Sequence, residues 1–146
     1  MVMGRAVRWH WLRALYILTV IVAGGFGLGM LVAPARVQSA LAMPAQDPVT
    51  FGLNGSVFLA FGLAAIGGLR APLKYCPILL VELAYKLIWL LVVVVPLVAQ
   101  GRFPASAAVQ AAIFVAFVVG DLIAIPFRYL LGRDISLSIV DDDKAP

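Results

Sequence analysis

Residues 76–98 read CPILLVELAYKLIWLLVVVVPLV, and only Glu82 and Lys86 in this run carry charge. As a helix rising ~1.5 Å per residue it would measure about 35 Å, enough to cross the ~30 Å hydrocarbon core of a bilayer. A helix is required there, because backbone exposed to lipid must satisfy its own hydrogen bonds. Pro77 and Pro96 mark the two ends of the run.

Working outward, three more runs of this kind occur. The first is Ala14–Val32, a span of about residues 14–33, preceded by Arg5, Arg8 and Arg13 and closed by Pro34. Its apolar stretch exceeds the ~7–15 residues of a signal-peptide core, and Pro34 spoils the cleavage pattern around Ala33 and Ala35. It reads as a retained signal-anchor helix. A second span covers about 49–69, with Pro48 suited to its first turn. The fourth covers about 105–131, where Pro126 is expected to introduce a kink by removing a backbone donor.

The composition agrees. Of 146 residues, 64% are hydrophobic and 12% charged, about half the charge of an ordinary soluble domain. So small a chain cannot hide that much apolar surface in an aqueous core. The expectation is one all-α domain, residues 1–146: an integral membrane bundle of four transmembrane helices.

The net charge of +4 does not point to nucleic acid, because the basic residues stand at the ends of apolar runs and not in a groove-sized patch. They report topology instead. Arg5, Arg8, Arg13, Arg70, Lys74, Arg128, Arg133 and Lys144 fall on one side, and only Arg36 and Arg102 on the other. Eight against two places both termini in the cytoplasm. Trp9, Trp11, Tyr75, Phe127 and Tyr129 fall at the inner boundary, as an aromatic belt does. In the outward loop 34–47, Val37, Ala40 and Leu41 suggest a short interfacial helix. The tail 132–146, with Asp141, Asp142 and Asp143, reads as a short solvated acidic end.

Small residues recur every fourth position: Ser56, Ala60, Ala64 and Gly68 in the second span, and Ala108, Ala112, Ala116, Gly120 and Ala124 in the fourth. In the first span Gly25 and Gly29 make a G-x-x-x-G step beside Gly24 and Gly27. Such rows let helices approach closely in lipid, within one bundle or between copies in a homo-oligomer.

Three charges interrupt the apolar spans. Glu82, Lys86 and Asp121 each cost ~2.5–3.5 kcal/mol near a helix centre. Counted along the helices, Glu82 lies ~12 Å and Lys86 ~18 Å beyond Lys74, and Asp121 ~10 Å deeper than Arg128. Side chains lean toward their helix N-terminus, so Lys86 and Asp121 converge in depth. Glu82 precedes Lys86 by four residues, the favourable order for a pair on one face. A pair at 4 Å gains ~4 kcal/mol at an effective dielectric of 20, which offsets the insertion cost of one partner. The expected site is a cluster of Glu82, Lys86 and Asp121 between the third and fourth helices, whose excess of negative charge calls for either a protonated carboxyl or Arg128 leaning back into it. Tyr85 and Trp89 extend the same face, which lines either a pocket or the seam of a rigid bundle.

Other polar groups carry less. Asn54 and Ser56 form an N-x-S sequon inside a span, where interhelical hydrogen bonding is expected instead of glycosylation. His10 lacks neighbouring ligands for a metal, and Cys76, the single cysteine, excludes an internal disulfide. No phosphate loop, nucleotide fingerprint, nucleophile elbow or haem-attachment motif is present, so no catalytic residue is assigned.

The glycine-rich Gly24–Met30 closed by Pro34, the segment Asn54-Gly-Ser-Val-Phe-Leu-Ala-Phe-Gly-Leu63 and the short final span resemble the DoxX-like group of small four-helix bacterial membrane proteins. The likeness is one of layout over about 120 residues. It implies a bacterial inner-membrane location and association with quinone-linked redox complexes, with quinone near Tyr85 and Trp89, but carries no active-site residue across. Three functions stay open: a non-catalytic bundle that binds a lipophilic ligand or supports a larger membrane complex, an oligomeric proton- or cation-coupled transporter, and a quinone-linked redox subunit.

Overall fold

A computed structural model describes residues 7–127 and Leu130. Among them no strand occurs, and four helices are long and apolar enough to cross a membrane: α1 (Trp9–Val32), α3 (Pro48–Arg70), α4 (Pro72–Ala99) and α5 (Ala105–Ala124). A short helix, α2 (Pro34–Ala40), lies in the loop after α1. Successive long helices run in opposite directions. The turn at Ala71 therefore lies at the end of the bundle where α1 begins (the termini end), and loops 33–47 and 100–104 lie at the other (the loop end).

Prolines set the boundaries. Pro34, Pro48 and Pro72 sit in the first turns of α2, α3 and α4, where a missing N–H costs nothing. Asp47 caps α3, its carboxylate accepting from the Thr50 N–H (2.8 Å) and hydroxyl (2.7 Å). These bonds to the charged form hold its carboxyl below the ordinary value. Pro96 lacks the N–H for its preceding turn, and there the chain widens into a π-helical turn, Leu90–Val94. A second π turn, Val20–Gly24, interrupts α1. Gly101 (φ +66°) ends α4, and Ala42 (φ 50°) occupies the equivalent left-handed position after α2.

Three boundaries differ from the expected spans, the first being that of α4, which starts at Pro72, four residues before Cys76, and holds Pro77 inside the helix. α1 starts at Trp9, five residues before Ala14, because Leu12 belongs to the same buried stripe as Leu15, Tyr16 and Thr19. At the other extreme, Pro126 terminates α5 instead of kinking it. Ile125, forced out of the helical region by the following proline, is extended (φ −70°, ψ 123°), and the helix stops at Ala124. Arg128, Tyr129 and the acidic tail lie outside the described residues.

The helices meet on rows other than the strict every-fourth ones. A four-residue step turns a helix by 400°, so such a row drifts by 40° per step and leaves the interface. In α3 the buried residues are Phe51, Gly55, Gly62, Ala65 and Gly68, while Ser56 and Ala60 are exposed. In α5 they are Phe114, Phe117, Val118, Asp121 and Ala124, while Ala108, Ala112 and Ala116 face outward. In α1 the contact glycines are Gly24 and Gly27. A Cβ on Gly27 would stand 2.6 Å from the Gly55 carbonyl oxygen, whereas nothing lies within 4 Å of one on Gly25. Ser56 donates to the Gly52 carbonyl of its own helix (3.0 Å) and makes no interhelical bond.

The core is concentrated at the termini end. Leu12, Leu15, Tyr16, Ala65, Cys76, Leu79, Leu83, Phe117, Val118, Ala124 and Ile125 form one buried cluster. Tyr16 Oη donates to the Pro72 carbonyl (2.7 Å), tying α1 to the start of α4. Toward the loop end α1 leaves α5: Trp9–Thr19 packs on both α3 and α5, but Gly25–Val32 packs on α3. Residues 90–99 of α4 bury nothing.

Candidate functional site

Where α1 and α5 part, α4 delivers Glu82 and Lys86 from the same helical face one turn apart, and both are buried. Lys86 Nζ donates to Glu82 Oε1 at 2.6 Å. Thr19 Oγ1, reaching across from α1, donates to Glu82 Oε2 at 3.2 Å. Each oxygen of Glu82 thus has a donor. Lys86 Nζ also lies over three aromatic rings: Phe117 at 4.4 Å from the centroid, Tyr85 at 5.1 Å and Phe114 at 5.9 Å. Ring faces carry partial negative charge, so they replace part of the hydration that the ammonium has lost.

Asp121 is placed differently from the expectation. It is fully buried on α5, one turn beyond Phe117, but it makes no ion pair with Lys86. Among the described residues neither of its carboxyl oxygens has a hydrogen-bond partner. The expected three-member cluster is therefore a bonded pair, Glu82–Lys86, with a second carboxyl group nearby and unbonded. Native interiors leave few such groups without a partner.

Beside the pair lies a cavity of about 120 Å³ between α1, α3, α4 and α5, lined by Val22, Phe26, Phe58, Tyr85, Phe114 and Ile113 among others, with Glu82 and Lys86 in its wall. An apolar cavity of ~150 Å³ holds one benzene molecule, so this space is ring-sized. Its aromatic wall is continuous. Phe58 meets Phe26 (5.7 Å), Tyr85 (6.3 Å) and Phe114 (6.4 Å), and Tyr85 meets Phe114 at 5.7 Å, all edge to face. Trp89 packs on Phe114 at 5.2 Å. Through Phe26, Phe58, Tyr85, Phe114 and Gln110 this cavity shares walls with a wider vestibule of about 350 Å³ toward the loop end, where Gln46, Asn54 and Ser106 add polar groups.

No family model matches this chain, and no curated protein or solved structure matches it. The site must be read from its own geometry.

The structure brings Glu82, Lys86 and Tyr85 to one cavity and puts Trp89 in the adjoining vestibule. Asp121, one turn beyond Phe117 on α5, lines neither cavity, and Arg128 is outside the described residues. Thr19, Phe114 and Phe117 were missed. Thr19 had a signal, as a hydroxyl at helical spacing from Leu12, Leu15 and Tyr16. The two phenylalanines had none, since in a uniformly apolar span any face can turn inward. Among the described residues no group of three metal-ligating side chains occurs, and His10 is exposed.

Proposed function

We propose that this chain is a multi-pass integral membrane protein of the bacterial cytoplasmic membrane, with both termini cytoplasmic, and that it binds a lipophilic ligand without transforming it. The observation that carries this reading is the ring-sized aromatic cavity directly against a buried ion pair. Apolar walls with a few convergent polar groups are the usual character of a small-molecule site. Membrane insertion is supported by the exposed faces of the four helices, where Ile21, Val32, Val49, Leu63, Leu91 and Val92 are all more than half exposed. Water would not tolerate so continuous an apolar surface.

Access from the bilayer fits the splay of α1 from α5, since Val109 and Ile113 line the cavity and are partly exposed on the helix surface. Filling that opening tests the function. Protein purified in a mild detergent should carry a lipophilic compound in near-stoichiometric amount by mass spectrometry, and Ile113→Trp should lose it while remaining folded. Equal recovery from both proteins would show that the compound is bulk lipid. A copurified quinone would assign the ligand to the redox class that the DoxX-like resemblance implies. A second reading, an oligomeric proton-coupled transporter, is favoured by Asp121, a buried carboxyl group without a hydrogen-bond partner. It predicts pH-driven flux in proteoliposomes that Asp121→Asn abolishes.

A further inference from the structure

Resting on the reading of the cavity as a lipophilic site, the geometry points to a ligand class: an organic cation carrying an apolar ring. Three observations converge on this. First, the aromatic wall already holds an ammonium. Lys86 Nζ sits over the faces of Phe117, Tyr85 and Phe114, so the site has the chemistry of a cation cage. Second, Glu82 lines the cavity directly and already has two donors, Lys86 and Thr19, arranged around its two oxygens. Third, among the described residues the buried charged groups are two carboxyls and one ammonium: Glu82, Asp121 and Lys86. With all three ionised the set is one positive charge short.

These facts give the protein a way to accept a cation without stranding its own. A ligand ammonium arriving beside Glu82 repels Lys86. The flexible four-carbon stem of Lys86 can then carry its Nζ past Phe117 toward Asp121, one turn further along α5, whose oxygens have no donor. Glu82 becomes the counter-ion of the ligand, and Asp121 becomes that of Lys86. Phe26, Phe58 and Tyr85 enclose the ligand ring, and the vestibule accommodates any tail. An anionic ligand finds no such arrangement, because Lys86 is already neutralised and the second carboxyl would repel it. In this scheme Asp121 is a positioning residue that never touches the ligand, as its absence from the cavity wall requires.

The test compares benzyltrimethylammonium with its neutral carbon isostere, neopentylbenzene, by calorimetry on the full chain in lipid nanodiscs. The cation should bind at least about 10-fold more tightly. Asp121→Asn should remove most of that preference while leaving the affinity for the isostere within about twofold, an outcome that general loss of structure would not give. Equal affinity of the wild-type protein for the two probes would overturn the cation assignment and leave the lipophilic cavity standing. Failure of the wild-type protein to bind either probe would overturn both. Because the wild-type comparison decides on its own, a misfolded variant would not rescue the proposal.

Discussion

The two halves of the bundle are packed differently. At the termini end, side chains from all four long helices interlock: Leu12, Tyr16, Ala65, Leu79 and Phe117 are nearly inaccessible, and Tyr16 ties α1 to α4. Toward the loop end α1 stays packed on α3 but parts from α5, residues 90–99 of α4 bury nothing, and a ring-sized cavity opens into a wider vestibule. Both π turns, Val20–Gly24 and Leu90–Val94, lie near this change, and Val22 and Ala23 of the first line the cavity. Glu82 and Lys86 stand at the border. The tight half thus fixes the positions of Glu82 and Lys86, which on the proposed reading the open half presents to a ligand.

The largest effect should come from the border itself. Removing one partner of a buried ion pair leaves the other uncompensated, so Lys86→Ala should lower stability by about 3–5 kcal/mol. The double change Glu82→Gln with Lys86→Met should recover most of that loss. Thermal unfolding in detergent measures both. A loss below about 1 kcal/mol would mean that the pair behaves like an exposed one.

Two glycines sharpen the contrast next. Gly27→Ala forces a Cβ against the Gly55 carbonyl, and overpacking of that kind costs about 1–3 kcal/mol. Gly25→Ala, two residues away with open space around it, should gain about 0.5–1 kcal/mol from helix propensity. Equal effects on unfolding would contradict the assigned crossing. In the open half, Ile113→Trp should change stability by less than about 1 kcal/mol, as expected of a partly exposed position that overlooks a cavity, while reducing ligand affinity at least about 10-fold.

The smallest effects lie in the loop-end connections. Asp47 has a carboxyl held below its ordinary value of 3.8. Its contribution is therefore fully present above that value and disappears as pH falls through the lower folded value. The protection of the Thr50 amide against hydrogen exchange, relative to its intrinsic rate at each pH, should fall on acidification, and Asp47→Ala should remove that pH dependence. Ala42 occupies a left-handed conformation (φ 50°). Ala42→Gly should stabilise by less than about 1 kcal/mol, since glycine bears no Cβ to strain there.

The fold was legible because hydropathy and proline placement act locally. Runs of apolar residues can only be helices in lipid, and Pro48 starts a helix as expected, whereas Pro77, expected near the start of the third span, lies inside α4. The pairing of Glu82 with Lys86 was legible for the same reason, since a four-residue spacing is a property of one helix. What lay between helices was not. In an amphipathic soluble helix, polar residues mark the outer face. In α3 and α5 both faces are apolar, so Ser56 and Ala112 gave no sign that they turn outward, nor Phe114 that it turns inward. Asp121 illustrates the same limit. Its place along α5 follows from counting residues, but whether it bonds to Lys86 depends on how α5 is rotated about its axis. The kink expected at Pro126 is instead a stop, because Ile125 before it is extended.

The central claim is that the half containing Trp89 receives ligand and the half containing Trp9 and Trp11 does not. It can be tested by fluorescence quenching with bromobenzene in nanodiscs, using one protein that retains only Trp89 and another that retains only Trp9 and Trp11. The account predicts saturable quenching of Trp89 that neopentylbenzene reverses, beside a linear, non-saturating response from Trp9 and Trp11. Linear quenching of the same slope in both proteins would contradict it.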